Sequence, residues 1–297
     1  MNYKISTLAF TLILGGSAWA QRVRHAQGPD GNGNCVLTAR AKCNNQKFTS
    51  GERFDRAHLK GAQFKSTQFI GTEKDFIRMH SSDLRNAKFA GARFAYVDMT
   101  ASDLGGADFA TAQFDRVRLN NIRSRAANFA GAKIENTLVT QGQMKDSKFE
   151  SVTARRVKFS KTDLFDVDFK NANLDWVEFV NSSLEQADFQ EAIIQNTSFE
   201  KSDLDGADFS NAKFIAKTSF RDASLERVNF RGADLSQAEL NSASIRLLEG
   251  HLCGTKMPGG QYRSGGAADC NIPDGEGPAE GLPNNSESER NWSIGPN

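Results

Sequence analysis

A period of five residues runs through most of this chain. From Phe54 to Phe214 nearly every fifth residue is large and apolar, and of 33 positions in this series only Lys74, Ser124 and Ala154 are not Phe, Leu, Ile, Met or Val. After one inserted residue the series continues from Phe220 to Ile245. We call these residues the centres of the repeats. A small or β-branched residue stands two positions before nearly every centre. An internal repeat of this length constrains the fold more strongly than any local motif.

This period excludes the ordinary secondary structures as the repeating unit. On an α-helix, centres spaced by five residues would scatter around the axis and form no apolar stripe. On a straight strand, an odd spacing would place successive centres on opposite faces of the sheet. The pattern is satisfied if the chain turns a corner about every five residues, because each centre and the small residue two positions before it then point inward. The sequence therefore predicts a polygonal solenoid.

Two stretches resemble a known repeat closely: ASDLGGADFATAQF from Ala101 to Phe114 and KSDLDGADFSNAKF from Lys201 to Phe214. They resemble the pentapeptide-repeat family, whose consensus is A(D/N)LXX. The resemblance covers about residues 51–246, where 36 of 39 centres follow it. It implies an all-β fold, a right-handed quadrilateral β-helix with four repeats per coil and nearly ten coils. At about 4.8 Å per stacked strand the rod would be roughly 45 Å long. Since 18 of the 22 Phe residues are centres, we expect stacked aromatic rings in its interior.

The four cysteines fall at the two ends of the repeat region, where a solenoid needs caps. Residues 1–20 have the features of a secretory signal peptide: Lys4, an apolar run, and a small-x-small site ending at Ala20. Export implies an oxidising compartment, periplasmic or extracellular. The paired spacing there favours two disulfides over a metal site, because no His or second close cysteine pair completes a zinc set. The predicted bridges are Cys35 to Cys43 and Cys253 to Cys270.

The domain organisation follows from these features. We predict a signal peptide at 1–20, an N-terminal cap at 21–50, the β-helix at 51–248, a C-terminal cap at 249–272 and a flexible tail at 273–297, where Gly, Pro, Ser, Asn and charged residues dominate. The apolar segment of the signal is too short to span a bilayer, and no cysteine follows it to carry a lipid. The sequence thus predicts no stable membrane insertion.

The sequence offers little support for catalysis. The four histidines, at 25, 58, 80 and 251, are far apart in the sequence. Acidic residues before the centres occupy consensus positions of the repeat, so no catalytic carboxylate pair stands out among them. Neither a phosphate-binding loop nor a nucleophile elbow is present, and we expect no enzyme activity, cofactor or metal.

Charge is unevenly distributed along the chain. Residues 51–161 contain 20 Lys and Arg against 12 Asp and Glu, whereas residues 162–249 contain 8 against 17. The rod should therefore have a basic first half and an acidic second half. Such a polarity can steer a partner or bring rods together, head to tail or antiparallel side by side; alternatively the charges only solubilise the outer faces.

Outward columns can be written down by assuming that four repeats make one coil. The column two places after the centres combines aromatic and Arg side chains, which is typical of a binding stripe. Its members are Arg56, Phe76, Tyr96, Arg116, Arg156 and Trp176, with Asn136 between the last two Arg residues. In this reading Phe76 could instead turn inward and Trp176 could simply cover a corner.

A second predicted column repeats the charge polarity. It begins with four basic residues, continues with Phe165, and ends with Glu185 and Asp205. Stacked like charges about 5 Å apart suggest an acidic ligand, or only long side chains that splay into water. The basic members of the column are Lys65, Arg85, Arg125 and Lys145.

Three functions compete at this stage. The preferred one is an exported, non-catalytic scaffold that binds another protein, or itself, along the faces of the rod. A glycan or envelope-polymer binder is the alternative. The resemblance adds a third, since some members of the family mimic duplex DNA and inhibit DNA gyrase; that role needs an acidic rod and access to the cytoplasm, whereas this chain has a basic half and a signal peptide. We expect no nucleic acid partner.

Overall fold

The structure is a computed structural model that describes Cys35, residues 37–240, the strand at 244–246, residues 252–258, Gly260 and residues 262–263. The described residues form strands and turns, and none of them lies in a helix. No helix long and apolar enough to cross a membrane is therefore present in these ranges. The predicted signal peptide and the tail at 273–297 lie outside them.

Nineteen short strands build the described part of the chain. In order they are β1 Lys47–Thr49, β2 Gln68–Ile70, β3 Ile77–Arg78, β4 Arg93–Ala95, β5 Val97–Asp98, β6 Gln113–Asp115, β7 Arg118–Asn120, β8 Lys133–Glu135, β9 Leu138–Thr140, β10 Thr153–Ser160, β11 Asn173–Val180, β12 Ile193–Gln195, β13 Lys213–Phe214, β14 Thr218–Ser219, β15 Ser224–Glu226, β16 Ala238–Glu239, β17 Ser244–Arg246, β18 Thr255–Lys256 and β19 Tyr262–Arg263. All pairings are parallel except that of β18 with β19.

The chain coils into a four-sided parallel solenoid of about ten turns, as predicted. Side A runs through β3, β5, β7 and β9, and side D through β1, β2, β4, β6 and β8; strands β10 and β11 continue both sides around their shared corner. Sides B and C are held mostly by single bridges, such as Asp83 to Asp103 on side B and Lys88 to Asp108 on side C, whereas β15 and β17 pair as strands on side B. Most paired residues are separated by four repeats, as these two pairs are, so one coil contains four repeats.

The interior consists of the centres and the small residues two positions before them. Along sides B, C and D the burial pattern alternates as the period of five requires, except at the buried Ala95 on side D, and even the exceptional centres Ser124 and Ala154 are buried. Phenylalanines stack directly on one another on side C, with ring centroids 4.9 Å apart for Phe89 and Phe109 and 4.6 Å apart for Phe189 and Phe209. These stacks confirm the predicted aromatic ladder, and they bury large apolar surfaces in every coil.

Corners are formed by residues two places after the centres. Most of these residues have a positive φ near 55°, for example 56° at Asn86 and 48° at Asn136. Their amides donate to carbonyls of the next coil, as Asn136 N does to Arg155 O at 3.1 Å. The left-handed conformation favours Gly and Asn and is costly for larger residues, by about 1–2 kcal/mol.

Between Phe54 and Leu240 two coils depart from the period of four repeats, and both insertions lie at the corner between sides D and A. Arg53 pairs with Arg78, five repeats later, because residues 72–76 leave the wall of the rod as an inserted segment. Lys74 is exposed there and does not act as a centre. Ser198 pairs with Ser219, one position beyond four repeats, which confirms the single inserted residue that the sequence indicated.

At the first end, Cys35 and Cys43 form the predicted disulfide, with Cα atoms 5.0 Å apart. At the other end, Lys256 pairs with Asp234, so β18 extends side D by one layer before the chain reverses into β19. Cys253 is disulfide-bonded, while its predicted partner Cys270 lies outside the described residues. The second bridge remains a prediction.

Candidate binding surface

The corner between sides D and A carries five of the residues singled out in the sequence. One stands in each successive coil, and we call this set, together with Phe76 beside it, the corner stripe: Tyr96, Arg116, Asn136, Arg156 and Trp176. Each has a positive φ, between 48° at Asn136 and 56° at Trp176. At about 4.8 Å per coil, Tyr96 and Trp176 are roughly 19 Å apart along the rod.

Arg56 does not belong to this corner, which corrects the predicted stripe. Its amide donates to His80 O, so Arg56 lies beneath Ser81 at the corner between sides A and B. The reason is the longer coil of five repeats, which shifts every residue before the inserted segment by one side. Gly71 occupies the position beneath Tyr96, and its amide donates to Ala95 O at 2.8 Å.

Phe76 reaches the stripe from the inserted segment, not from a corner position. Its half-buried ring meets the Tyr96 ring edge to face, with centroids 5.7 Å apart. The Arg118 guanidinium lies 4.1 Å from the centroid of Phe76, and that of Arg116 lies 5.2 Å from the centroid of Tyr96. Two aromatic rings and two guanidinium groups therefore form one continuous cluster, in the distance range of cation–π contacts.

Trp176 is the most exposed large apolar residue of the described chain, with 59% of its surface accessible. It occupies a left-handed corner position, where the same corner has Asn136 and Asn196 in other coils. A Trp at this position exposes apolar surface to solvent. It also adopts a left-handed backbone conformation, which is unfavourable for a bulky residue. Leu138, 38% exposed on side A, adds apolar surface near the middle of the stripe.

A buried carboxylate supports the first end of this surface. Asp98 Oδ2 lies 3.0 Å from His80 Nε2 and 3.6 Å from Arg118 Nη1, and Thr100 Oγ1 donates to Asp98 Oδ1 at 2.6 Å. Burial raises the pKa of Asp98, but the bonds from Thr100 and the neighbouring His80 outweigh burial and hold the pKa below its ordinary value. Asp98 thus anchors Arg118, the residue that covers Phe76.

The predicted basic column lies on side B, at the position after each centre. Arg85, Arg125 and Lys145 occupy it, followed by Phe165, Glu185 and Asp205. Lys65 belongs to side C instead, because the longer coil places Lys60 beneath Arg85; the amide of Gly61 donates to Arg85 O at 2.8 Å. With that correction, the column changes from basic to acidic along the rod.

The cations of side B have partners within the chain. Arg85 Nη2 lies 2.7 Å from Asp83 Oδ2, and this guanidinium lowers the pKa of Asp83. Arg125 Nε lies 2.8 Å from Asp146 Oδ2, although 77% of the Arg125 side chain remains exposed. Lys145 Nζ lies 3.4 Å from Asp163 Oδ2 and 5.1 Å from the ring centroid of Phe165. Exposed pairs of this kind stabilise a fold by at most about 1 kcal/mol each.

Several surface residues were not singled out in the sequence. Lys60 could be assigned to the basic column only by recognising that residues 72–76 leave the rod. The hydrophilic run from Thr72 to Asp75 is the sequence signal for that insertion. Ile193 and Ile215, 37% and 55% exposed on side D, occupy outward positions of otherwise regular repeats. The described residues contain no cluster of three or more His, Cys, Asp or Glu arranged to hold a metal ion.

Comparisons with known proteins agree with this architecture. The family profile described as pentapeptide repeat region matches residues 140–209 and 172–249, and the profile of pentapeptide repeats in eight copies matches residues 82–121. Together the matched ranges, 82–121 and 140–249, make up slightly more than half of the chain. No curated protein sequence matches the chain.

The similar solved structures include QnrB1, HetL and a thylakoid protein. QnrB1, a plasmid-mediated fluoroquinolone resistance protein, is 17% identical over 73% of this chain and 92% of its own, with a TM-score of 0.34. HetL, involved in heterocyst differentiation regulation in Nostoc sp. strain PCC 7120, is 21% identical over 76% of this chain and 92% of its own, with a TM-score of 0.24. A protein of the Arabidopsis thaliana thylakoid lumen is 23% identical over 38% of this chain and 64% of its own, with a TM-score of 0.17.

The period of five, the four-sided parallel coils and the matched profiles lead to one conclusion. The chain belongs to the pentapeptide repeat family.

Proposed function

We propose that this protein is an exported, non-catalytic scaffold that binds a protein partner along the corner stripe. The observation that carries the proposal is Trp176, a large aromatic side chain that is 59% exposed at a left-handed corner. A Trp that is mostly solvated and adopts a disfavoured backbone conformation gains less from packing than a buried Trp and carries a conformational cost. Selection for binding offers a physical reason for that cost.

The rest of the stripe has the composition of a protein interface. Tyr, Trp and Arg are the residues most enriched in energetically important interface positions. Tyr96 and Arg116 are in contact at one end, and Arg156 lies one coil before Trp176 at the other. A rigid rod loses little conformational entropy when it binds, because its aromatic groups are already positioned.

The charge around the stripe favours a partner with carboxylate groups. Arg116, Arg118, Arg155, Arg156 and Lys158 all lie at or next to this corner. Several of them also pair with acidic residues of the chain, as Arg155 does with Asp175 at 3.4 Å. An extended segment with acidic and apolar side chains fits this surface, and charge attraction would accelerate its association.

Export rests on the sequence of residues 1–20, with Gln21 as the expected first residue of the mature chain. The partner would then be a protein of the envelope or the extracellular space. Sequencing the N-terminus of the protein recovered outside the cytoplasm tests this part of the proposal. Retention of Met1 in a cytoplasmic protein would contradict it.

Site-specific photocrosslinking tests the stripe. A benzophenone amino acid replaces Trp176 in one variant and Lys161 in another, since Lys161 occupies a left-handed position of the corner between sides A and B. We expect a specific protein adduct from position 176 only. The purified partner should then lose binding to the Tyr96→Ser/Trp176→Ser variant and keep it with Lys161→Ser/Glu191→Ser, whose positions lie at two other corners.

Two results would contradict the proposal. Equal adducts from positions 176 and 161 would show that the stripe is not the binding surface. Retention of the protein on cell-wall polysaccharide, with loss of that retention in the Tyr96→Ser/Trp176→Ser variant, would assign the stripe to a glycan.

A further inference from the structure

Side B of the rod has a charge pattern that is complementary to itself when reversed. Its outward residues stand immediately before and after the centres, and the bridges Arg123 to Gln143, Gln143 to Asp163, Asp163 to Ser183 and Ser183 to Asp203 place them in consecutive coils. Phe165 is in the coil of Asp163. Two coils before it stand Arg123 and Arg125, and two coils after it stand Asp203 and Asp205.

We propose that two copies of this protein pair antiparallel through side B, with a two-fold axis at Phe165. The axis lies parallel to side B and perpendicular to the rod, so each column of one copy faces the same column of its partner in the opposite direction. A two-fold interface of this kind matches one patch with itself. The proposal uses other residues than the corner stripe and holds whether or not the stripe binds a protein.

The two-fold relation produces charge pairs on both sides of the axis. Arg123 faces Asp203 of the partner subunit, and Arg125 faces Asp205 of the partner subunit. One coil from the axis, Lys145 faces Glu185 of the partner subunit. Each pair occurs twice, at about 5 Å or about 10 Å from the axis according to the spacing of the coils.

The basic groups are available for these contacts. The side chains of Arg123 and Arg125 are 63% and 77% exposed. Within the chain, Arg123 Nε lies 3.4 Å from Asp103 Oδ2 and Arg125 Nε lies 2.8 Å from Asp146 Oδ2. A guanidinium group has five N–H donors, so it can keep such a partner and bind a second carboxylate.

The acidic groups lack a cation within the chain. Across the described ranges, no Lys, Arg or His nitrogen lies within 4.0 Å of the carboxylates of Glu185, Asp203 and Asp205. Asp205 Oδ1 accepts from Ser224 Oγ at 2.5 Å and from the amide of Glu226 at 3.1 Å, which fixes the carboxylate on the surface of side B. Pairing with cations from a second copy would compensate this cluster of like charges.

The centre of the proposed interface is aromatic and free of protrusions. Phe165 is half-buried beneath Lys145 Nζ, which lies 5.1 Å from the ring centroid, and the same Lys145 lies 3.4 Å from Asp163 Oδ2. Asp163 faces Asp163 of the partner subunit at the axis, and in each copy Lys145 compensates the charge of this carboxylate. The side B bridges from Arg123 to Asp203 are all separated by 20 residues, so no insertion interrupts side B over these five coils.

A narrow face held largely by exposed ion pairs gives a weak dimer that depends on salt. Such pairs are screened over about 10 Å at 0.1 M ionic strength. Sedimentation equilibrium of the mature protein at low salt should show a monomer and dimer in exchange, and about 0.5 M NaCl, with a Debye length of only a few Å, should shift the equilibrium to monomer.

Charge reversal provides the decisive test. Arg123→Asp/Arg125→Asp makes both ends of the pattern acidic, and Asp203→Arg/Asp205→Arg makes both ends basic. Each variant alone should be monomeric at low salt, whereas an equimolar mixture should form a heterodimer, because each acidic end then faces a basic end. Circular dichroism of each variant checks that the rod is folded. Tyr96→Ser/Trp176→Ser should dimerise like the unmodified protein.

Cysteine crosslinking locates the axis. Phe165→Cys should be linked to its counterpart by a bifunctional maleimide with a spacer of about 10 Å, the distance at which two facing sheets pack. Gly105→Cys, three coils before Phe165 in the same column, is the matched control: its two copies would be about 29 Å apart along the rod, beyond the reach of that spacer. Three results would overturn the proposal: a protein that is monomeric at low salt at every concentration, charge-reversed variants that dimerise on their own, or a mixture that remains monomeric.

Discussion

The guanidinium group of Arg118 covers the ring of Phe76 at 4.1 Å and thereby joins the inserted segment to a coil two turns further along the rod. Arg118 is positioned by Asp98, whose carboxylate lies 3.6 Å away on the same side. Phe76 in turn contacts Tyr96 edge to face. The segment at 72–76 leaves the wall of the rod but remains packed on its surface.

A double-mutant cycle on Phe76→Leu and Arg118→Gln measures this contact. Leu keeps apolar bulk but has no aromatic face, so we expect a coupling free energy of unfolding of about 0.5–1 kcal/mol, as for exposed cation–π pairs. The measurement is urea unfolding of the four proteins. Additive effects would show that the contact contributes no stability. Arg123→Gln in place of Arg118→Gln is the control, since Arg123 lies on side B.

The phenylalanine ladder should dominate the stability of the rod. Phe189 is fully buried and stacks between Phe169 and Phe209, with centroids 5.0 Å and 4.6 Å away. Phe189→Ala should therefore lower the free energy of unfolding by about 3–5 kcal/mol, through lost transfer energy and the cavity left behind. Phe165→Ala, at a half-buried outward position, should cost much less. Similar losses in urea unfolding for both variants would contradict a core held by the ladder.

Trp176 should reduce stability while it serves binding. Trp176→Asn removes a bulky side chain from a left-handed position, where φ is 56°, and should raise the free energy of unfolding by up to about 1 kcal/mol. The same variant should lose partner capture. Lys161→Asn, with φ of 52°, is the control: it should gain stability and keep capture. A destabilised Trp176→Asn protein would mean that the Trp ring contributes packing at its corner.

The lowered pKa of Asp98 should make the stability of the rod depend on pH. Burial raises its folded pKa, but the bonds from Thr100 and His80 outweigh burial, so the folded pKa lies below the ordinary value of 3.8. A lowered folded pKa contributes stability that is present above the unfolded pKa and is lost as the pH falls through the folded pKa. Thermal unfolding of Asp98→Asn should therefore show a smaller loss of Tm below about pH 3.8 than the unmodified protein. Asp166→Asn, on the exposed corner between sides B and C, is the control; equal acid sensitivity in the two variants would rule out a special contribution of Asp98.

The first end of the rod should depend on its disulfide. Cys35→Ser/Cys43→Ser removes a bridge that closes a loop with a sequence separation of 8 residues. The chain-entropy estimate for so short a loop is about 2–3 kcal/mol. Because a solenoid is stabilised by contacts between neighbouring coils, the effect should stay local. Amide exchange should accelerate in 41–54 and remain unchanged around Phe189; protection that is unaffected in 41–54 would contradict a stapling role.

The repeat itself could be predicted from the sequence because every centre is constrained by the same packing. Large apolar residues at a period of five predict a polygonal solenoid, and the family resemblance adds the four repeats per coil. Even Ser124 and Ala154 are buried as centres because the neighbouring coils fix the backbone. The first disulfide followed from the spacing of Cys35 and Cys43 at the end of the repeats.

The surface columns could be predicted only as far as the period holds. Lys74 cannot be buried as a centre, so the chain excludes it together with its neighbours, and all residues before it move by one side. This shift separated Arg56 from the stripe and Lys65 from the basic column. Contacts across coils, such as that of Arg118 with Phe76, depend on side-chain reach and rotamers that a one-dimensional pattern does not contain.

The inserted segment at 72–76 has a consequence for any molecule that docks on this rod. A surface that repeats in every coil offers a ligand many equivalent binding positions, each about 4.8 Å from the next along the rod. Phe76 protrudes beside Tyr96 in one coil of the described chain, so this coil differs from the repeating positions around it. Trp176 lies four coils beyond Tyr96, so a molecule that contacts both ends of the corner stripe can dock at only one position along the rod.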